Sequence, residues 1–279
     1  MKKFGNMKRR IFAAAAAIFA AGAFVSAGEG EFKPQKLTVG EFFENPVGMS
    51  LENLRFSWQM PGGTQGMRQT AYQLVVAHSP KGLNENPLWD SGKVLSPDSA
   101  WVEAGIPAPR SRERLYWKVR VWDEAGRASE WSEPAFFEAG LLDNSDWSAK
   151  WVSNTAPQEF ETVKLRDGRD KEVPKAFPPT YLRREIELDD DVESARLYVA
   201  ARGIYQFYIN GRKVGDDFWS PGWTDYNKRI QTTAYDISKM LYSGGNALAA
   251  VVADGWYAGS LAWANNRCLL YTSDAADDL

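Results

Sequence analysis

Beyond residue 30, apolar side chains fall at every second position in short runs, and Gly, Pro, Asn and Asp bound those runs. Period-two alternation is the mark of half-buried β-strands, because successive side chains of a strand point to opposite faces. Arg55–Gln59 sets Phe56 and Trp58 on one face, and Ala71–Ala77 does the same with Tyr72, Leu74 and Val76. Residues 115–122 place Leu115, Trp117, Val119 and Val121 together, with Lys118 and Arg120 opposite, and 135–140 closes the set. Turn chemistry at Pro61-Gly62-Gly63 and at 123–126 separates these strands.

A second group of runs begins near Trp147. Residues 181–188 carry Leu182, Ile186 and Leu188 on one face, and Ala195, Leu197, Val199 and Ala201 form the inward face of the next run. Tyr205, Phe207 and Ile209 follow, then Asn210-Gly211, a hairpin signal because both residues tolerate positive φ. Residues 230–235 read as another strand, 236–241 as about one helical turn capped by Asp236, and 247–254 as a buried apolar strand. The polar, Pro-punctuated stretch 154–179 reads as a long surface loop. Helical periodicity is scarce throughout. The predicted fold class is therefore all-β, with two consecutive β-sandwiches. The first, residues 32–140, is fibronectin type III or immunoglobulin-like, and Ser129-Glu130-Trp131-Ser132 before its last strand fits that type. The second, residues 147–267, is jelly-roll-like and truncated.

The two ends of the chain stand outside this pattern. Lys2, Lys3, Lys8, Arg9 and Arg10 precede an uncharged, Ala-rich run from 11 to 25, and Val25-Ser26-Ala27 supplies small residues for a peptidase. That order predicts a helical signal peptide over 1–27, cleaved after Ala27, and a mature protein that is secreted or periplasmic and free of the membrane. At the other end, 268–279 begins CLLYTSDAADD, the peptide that a transposase-based sequencing-library adapter would encode. It is set aside from fold reasoning as an artefact, and with it goes Cys268, the single cysteine. Without disulfides, the modules must rest on hydrophobic burial. Asp274, Asp277 and Asp278 of that tail account for the whole net charge of −3. Loss of the basic signal leaves acidic modules, which offer no electrostatic footprint for nucleic acid.

Candidate chemistry is sparse. The lone histidine, His78, follows a strand and reads as a surface residue. No Gly-x-Ser-x-Gly elbow, phosphate-binding glycine loop or zinc spacing occurs, and no carboxylate pair is placed by sequence into acid–base geometry. Asp189-Asp190-Asp191 reads as a solvated turn before it reads as a metal site. The 12 Trp, 11 Tyr and 14 Phe suit sugar binding, but sandwich cores also favour aromatics.

The segment 208–263 is denser in signal. Val214-Gly215-Asp216, Pro221-Gly222-Trp223-Thr224-Asp225-Tyr226, Thr233-Ala234-Tyr235-Asp236, Gly245-Asn246-Ala247-Leu248 and Asp254-Gly255-Trp256-Tyr257-Ala258-Gly259 occur in order. Together they closely resemble the N-terminal β-sandwich domain of bacterial α-L-rhamnosidases. The fibronectin-like module and Trp147-Ser148-Ala149-Lys150-Trp151 extend the resemblance over most of 32–267. The resemblance implies a parent glycoside hydrolase that releases terminal L-rhamnose with inversion, one carboxylic acid protonating the leaving oxygen and a second activating water. Those residues belong to a helical barrel beyond Arg267. No catalytic residue is therefore assigned here, and the chain by itself is expected to be inactive. The implied partners are a rhamnose-containing glycan or glycoside and the C-terminal catalytic domain of the same protein.

Relatives in that family carry a calcium-dependent rhamnose-binding module. No ligand set matches residue by residue, so the metal residues are unknown and calcium stays a bare candidate. Trp223, Asp225, Tyr226, Asp254, Trp256 and Tyr257 form the candidate sugar-contacting or domain-docking surface, since aromatic faces stack on sugar C–H groups and carboxylates bind paired hydroxyls. The structural alternative is a tight corner at Pro221-Gly222-Trp223 and a Trp256 packed beneath the next domain. A different class also stays open, a non-catalytic carbohydrate-binding or adhesion protein.

Overall fold

The computed structural model describes residues 32–51, 54–60, 66–153, 157, 159–175, 178–258, 260, 261, 266 and 267. The proposed signal peptide and the 268–279 tail lie outside them.

Eight strands build the first module: β1 (Gln35–Val39), β2 (Val47–Met49), β3 (Arg55–Gln59), β4 (Ala71–Ala77), β5 (Trp89–Asp90), β6 (Val102–Glu103), β7 (Arg114–Trp122) and β8 (Ala135–Ala139). They form a three-stranded sheet, β1-β3-β6, and a five-stranded sheet, β2-β8-β7-β4-β5. The expected alternation is realised. Phe56 and Trp58 of one sheet face Leu74, Val76, Leu115, Trp117 and Val119 of the other, all buried. Edge-on ring contacts of Phe56 with Trp117 (4.8 Å) and with Phe137 (5.8 Å) fill the centre. Trp58 donates its indole N–H to buried Gln69, whose amide donates to the Ser96 and Asp98 carbonyls, so the polar groups of this corner are paired.

The outer face of the five-stranded sheet is not simply solvated. Val75 and Ala77 pack under Leu83 of a short helix, α1 (Gly82–Glu85), with Tyr116 and Trp131 beside them. Cations and indoles alternate across this face. Lys93 lies 4.7 Å from the Trp122 ring, Arg120 lies 5.0 Å from Trp122 and 4.7 Å from Trp131, and Lys118 lies 4.3 Å from Trp131. Lys118 is buried, and desolvation, helped by Arg120, lowers its pKa. Beyond the reach of β8, the backbone N–H groups of Val119 and Val121 donate to the hydroxyls of Ser132 and Ser129. The amides of Ser132 and Ser129 donate in return to the carbonyls of the same two valines.

In the second module, β11 (Thr180–Leu188), β16 (Gly244–Ala253), β13 (Ile204–Ile209) and β14 (Arg212–Lys213) make a four-stranded sheet in that order. β12 (Arg196–Ala200) and β15 (Thr232–Asp236) make the facing pair. Ile209, Val214 and Ile237 sit between the layers with Leu197, Phe207 and Leu248. Asn210 and Gly211 close the β13–β14 hairpin with φ of 51° and 76°, the primed turn their identity demands. The expected helical turn is a 3-10 turn, Ser238–Met240, and Asp236 accepts from both the amide and the hydroxyl of Ser238. The short strands β17 (Ser260–Leu261) and β18 (Asn266–Arg267) pair with each other, antiparallel.

The long loop expected at 154–179 is corrected by the structure. Within it, β9 (Phe160–Lys164) and β10 (Asp170–Pro174) form an antiparallel ribbon closed at Asp167-Gly168. Its strands, Phe-Glu-Thr-Val-Lys and Asp-Lys-Glu-Val-Pro, carry few apolar residues and no sustained period-two alternation, so the sequence does not reveal them.

The modules meet at a buried carboxylate. Glu138 of β8, 4% exposed, accepts from Arg114 Nε of its own module (2.9 Å) and from Arg196 Nε of β12 (2.7 Å). Arg196 also reaches Asp236 at 3.1 Å. Beside this cluster Gly48 has φ of 78°, and a Cβ there would overlap the Cβ of Ala234. The connecting turn is tied back as well: Ser111 bonds Asp146, and Arg112 donates to the Asp146 carbonyl at 2.8 Å. Removing a buried carboxylate would leave two guanidinium groups facing each other. Glu138→Ala should therefore lower stability by about 3 kcal/mol in urea unfolding, and Glu138→Gln, which keeps one acceptor oxygen, should lose less.

Candidate functional site

The candidate residues lie on two segments that converge at one end of the four-stranded sheet. The first is the long β14–β15 connection, held to β13 by the bond from the Tyr205 amide to the Ser220 carbonyl (3.0 Å). Ser220–Pro221 is cis. Residues 225–229 form one turn in which the Lys228 and Arg229 amides donate to the Asp225 carbonyl, and the Thr224 hydroxyl donates to the Arg229 carbonyl at 2.6 Å. The second segment is the exit of β16, where Asp254 leads into a single helical turn, α2 (Gly255–Ala258).

The structure brings Tyr226 to Tyr257, carries Trp256 and Asp254 on the same chain exit as Tyr257, and leaves Trp223 and Asp225 apart. Tyr226 and Tyr257 meet edge to face, with centroids 5.3 Å apart and planes at 78°. Trp256 meets Trp219 at 6.0 Å. Asp254 is half-buried at the strand exit, its carbonyl close to Gly203. Trp223 projects outward, 67% exposed. Asp225 is exposed too, and its carboxylate serves its own turn, accepting from the Asn227 amide and lying 3.5 Å from Lys228 Nζ. Burial of the Tyr226 phenol pushes its pKa up, so that hydroxyl stays a neutral donor.

Three participants were not marked by sequence reasoning. Arg202 lies between two rings, 5.6 Å from the Tyr257 centroid and 5.5 Å from that of Trp151, and its Nη1 is 3.5 Å from the Tyr257 hydroxyl. Trp151 comes from the junction between the modules. Trp219 stands at φ of 60° and is 66% exposed. Trp219 lies two residues before Pro221 and was within reach of motif reading. Arg202 had no local signal, because the β12–β13 turn alone carries it to the rings. The resulting surface is aromatic with one guanidinium and one carboxylate, suited to sugar C–H faces and hydroxyls or to a packed protein face.

A shallow depression of about 460 Å³ lies elsewhere, lined by Glu185, Glu187, Asn210, Tyr242 and Asn246 among others. Asn246 is buried and spends its side-chain amide on Tyr242, Gly244 and Asn210, which makes this a structural corner. His78 is exposed and pairs with Glu113 at 3.2 Å. Asp189, Asp190 and Asp191 lie exposed in the β11–β12 turn. Among the described residues no group of three or more His, Cys, Asp or Glu side chains could hold a metal ion, and no helix is long and apolar enough to cross a membrane.

Two docked β-sandwiches, the second bearing an aromatic face, define the architectural class. Residues 34–143 match the family described as the Rha78A-like, N-terminal immunoglobulin domain, and residues 190–277 match the alpha-L-rhamnosidase N-terminal domain. Each module is thus similar to an N-terminal domain of alpha-L-rhamnosidases, and the chain aligns to the N-terminal region of those proteins. An alpha-L-rhamnosidase of Formosa agariphila is 41% identical over 228 residues, which is 81% of this chain and 24% of that protein. The solved alpha-L-rhamnosidase of Dictyoglumus thermophilum superposes with a TM-score of 0.71 at 33% identity, over 81% of this chain and 26% of its own. That of Streptomyces avermitilis, complexed with L-rhamnose, gives 0.71 at 27% identity, over 85% and 38%. The chain spans about a quarter of the length of the curated relatives it matches.

The exit of β16 depends on a glycine. Gly255 has φ of 50°, and a Cβ there would lie 2.7 Å from Ile204 Cγ2 and 2.8 Å from the Ile204 amide nitrogen. Gly255→Ala should destabilise the second module by about 2 kcal/mol and, in near-UV circular dichroism, weaken the signals of the Trp256 and Tyr257 contacts.

Proposed function

We propose that this chain is the accessory region of a secreted α-L-rhamnosidase that hydrolyses terminal α-L-rhamnose from glycans or glycosides. Hydrolysis belongs to carboxyl groups of a C-terminal domain, and the two sandwiches act as a rigid support for it. The observation that carries the reading is the match of both modules, in order, to the N-terminal domains of α-L-rhamnosidases. The face built from Tyr226, Asp254, Trp256, Tyr257 and Arg202 contacts rhamnosylated substrate or the neighbouring catalytic domain, with Trp223 and Asp225 at its rim. Its exposed indoles and paired tyrosines favour such a contact over plain solvation.

The test is to read the source DNA in frame past the Arg267 codon, express the intact product and assay it on an aryl α-L-rhamnoside. The intact protein should release rhamnose, and the 279-residue chain should not. Failure of the intact product to release rhamnose would sink the reading. The location is outside the cytoplasm, supported by the basic, apolar and small-residue order of 1–27. Mass spectrometry of the exported protein should find Gly28 at its N-terminus; an intact Met1 terminus would argue against export by this signal.

A further inference from the structure

The first module carries an aromatic surface of its own, remote in sequence from the cluster just described. Phe42 and Trp101 lie with ring centroids 5.7 Å apart and planes inclined by 32°, and they are 54% and 56% exposed. Phe43 beside them is also exposed. Both rings are carried by left-handed backbone, with φ of 67° at Phe42 and 56° at Trp101. Bulky side chains rarely occupy that region, and turns there usually take Gly or Asn. Gly40 and Asn45 do so in the same loop, at 66° and 47°.

Both loops are fixed in place. Val39 and Phe43 exchange backbone bonds of 2.9 and 3.1 Å, and the Gly40 amide donates to the Arg55 carbonyl. The Trp101 amide donates to the Ser57 hydroxyl at 2.9 Å, and the Trp58 amide to the Ser99 carbonyl at 2.8 Å. The Gln69 bridge to Ser96 and Asp98 holds the rest of the loop. The strands that carry these loops also carry a charged pair: Arg55, whose carbonyl holds Gly40, and Glu103, two residues after Trp101, pair across β3 and β6 at 3.4 Å, and both remain accessible to solvent.

We propose that Phe42 and Trp101 are a pre-formed platform on which a pyranose ring of a carbohydrate chain stacks, with Arg55 and Glu103 bonding its hydroxyls. This rests on the glycan-directed reading above. Apolar ring faces beside a guanidinium–carboxylate pair match the alternation of C–H faces and hydroxyls on a sugar. Rigid loops leave little to be ordered on binding. The patch is too small for a stable protein partner, which engages roughly 20–30 residues a side: among the described residues Phe42, Phe43 and Trp101 are its exposed apolar side chains, and Glu41 and Glu44 flank Phe42 and Phe43, exposed. The second module docks elsewhere, through Glu138 and Gly48 of β8 and β2.

The experiment is affinity electrophoresis of the full chain in native gels containing rhamnogalacturonan or dextran, with sedimentation run in parallel. The wild type should be retarded, and Trp101→Ala and Phe42→Ala should each weaken binding at least tenfold with unchanged melting temperature. Should one substitution disturb its loop, the other reads the same platform through the second ring. Several outcomes overturn the proposal: no retardation of the wild type, retardation of both variants equal to that of the wild type, or a dimer that Trp101→Ala dissolves. Loss of binding in Tyr257→Ala alone would also overturn it while leaving the second-module surface as the sugar contact. The rhamnosidase reading is decided separately, by the activity of the intact enzyme.

Discussion

The arrangement of the whole molecule depends on Glu138. A carboxylate at this depth is tolerated only because guanidinium groups from two modules converge on it, Arg114 from one and Arg196 from the other. Each module builds its own core, but neither satisfies this charge cluster alone. The ion cluster therefore fixes the direction in which β12 and β15 face the first module. It also explains why Gly48 can have no side chain, since the backbone of β2 approaches Ala234 closely at the same seam. With the seam fixed, Trp151 of the connecting segment falls within reach of Arg202 and so of Tyr257. The geometry of the aromatic face is thus inherited from an electrostatic contact in a different part of the fold.

Much of this was legible in the sequence. The inward sets around Phe56, Leu74, Trp117 and Ile209 follow from alternation, because a strand with one buried face must repeat every second residue. Asn210-Gly211 announced its hairpin through backbone preference. What stayed hidden has a common cause: the residues concerned look ordinary in one dimension. Glu138 sits in a strand where an acidic residue reads as solvent-facing, and only its two arginine partners, one of them beyond the linker, reveal it as buried. The β9–β10 ribbon has too few apolar residues to set up an alternation that would betray it. Lys118 and Arg120 were expected opposite the core, which they are, but the indoles that cover them come from Trp122 and from the Trp131 segment.

The candidate surface divides along the same line. Motif density located Tyr226, Trp256 and Tyr257, and the fold brings them together. Density could not separate a residue that faces a ligand from one that serves its own turn, and Asp225 spends its carboxylate locally. Nor could it supply Arg202, which depends on a turn between two strands. The Phe42–Trp101 pair was equally invisible, since its rings come from loops far apart in sequence that only the β1-β3-β6 sheet joins.

Ser129 and Ser132 have a further consequence. Their hydroxyls accept from the amides of Val121 and Val119, and their own amides complete the ladder, along the half of β7 that β8 does not reach. A bare row of backbone donors and acceptors there would be a template for a strand from another molecule. Two small hydroxyl residues close it without the length of a full strand. That seal acts as a guard against chain-to-chain aggregation, exerted by side chains that contribute almost nothing to the hydrophobic core.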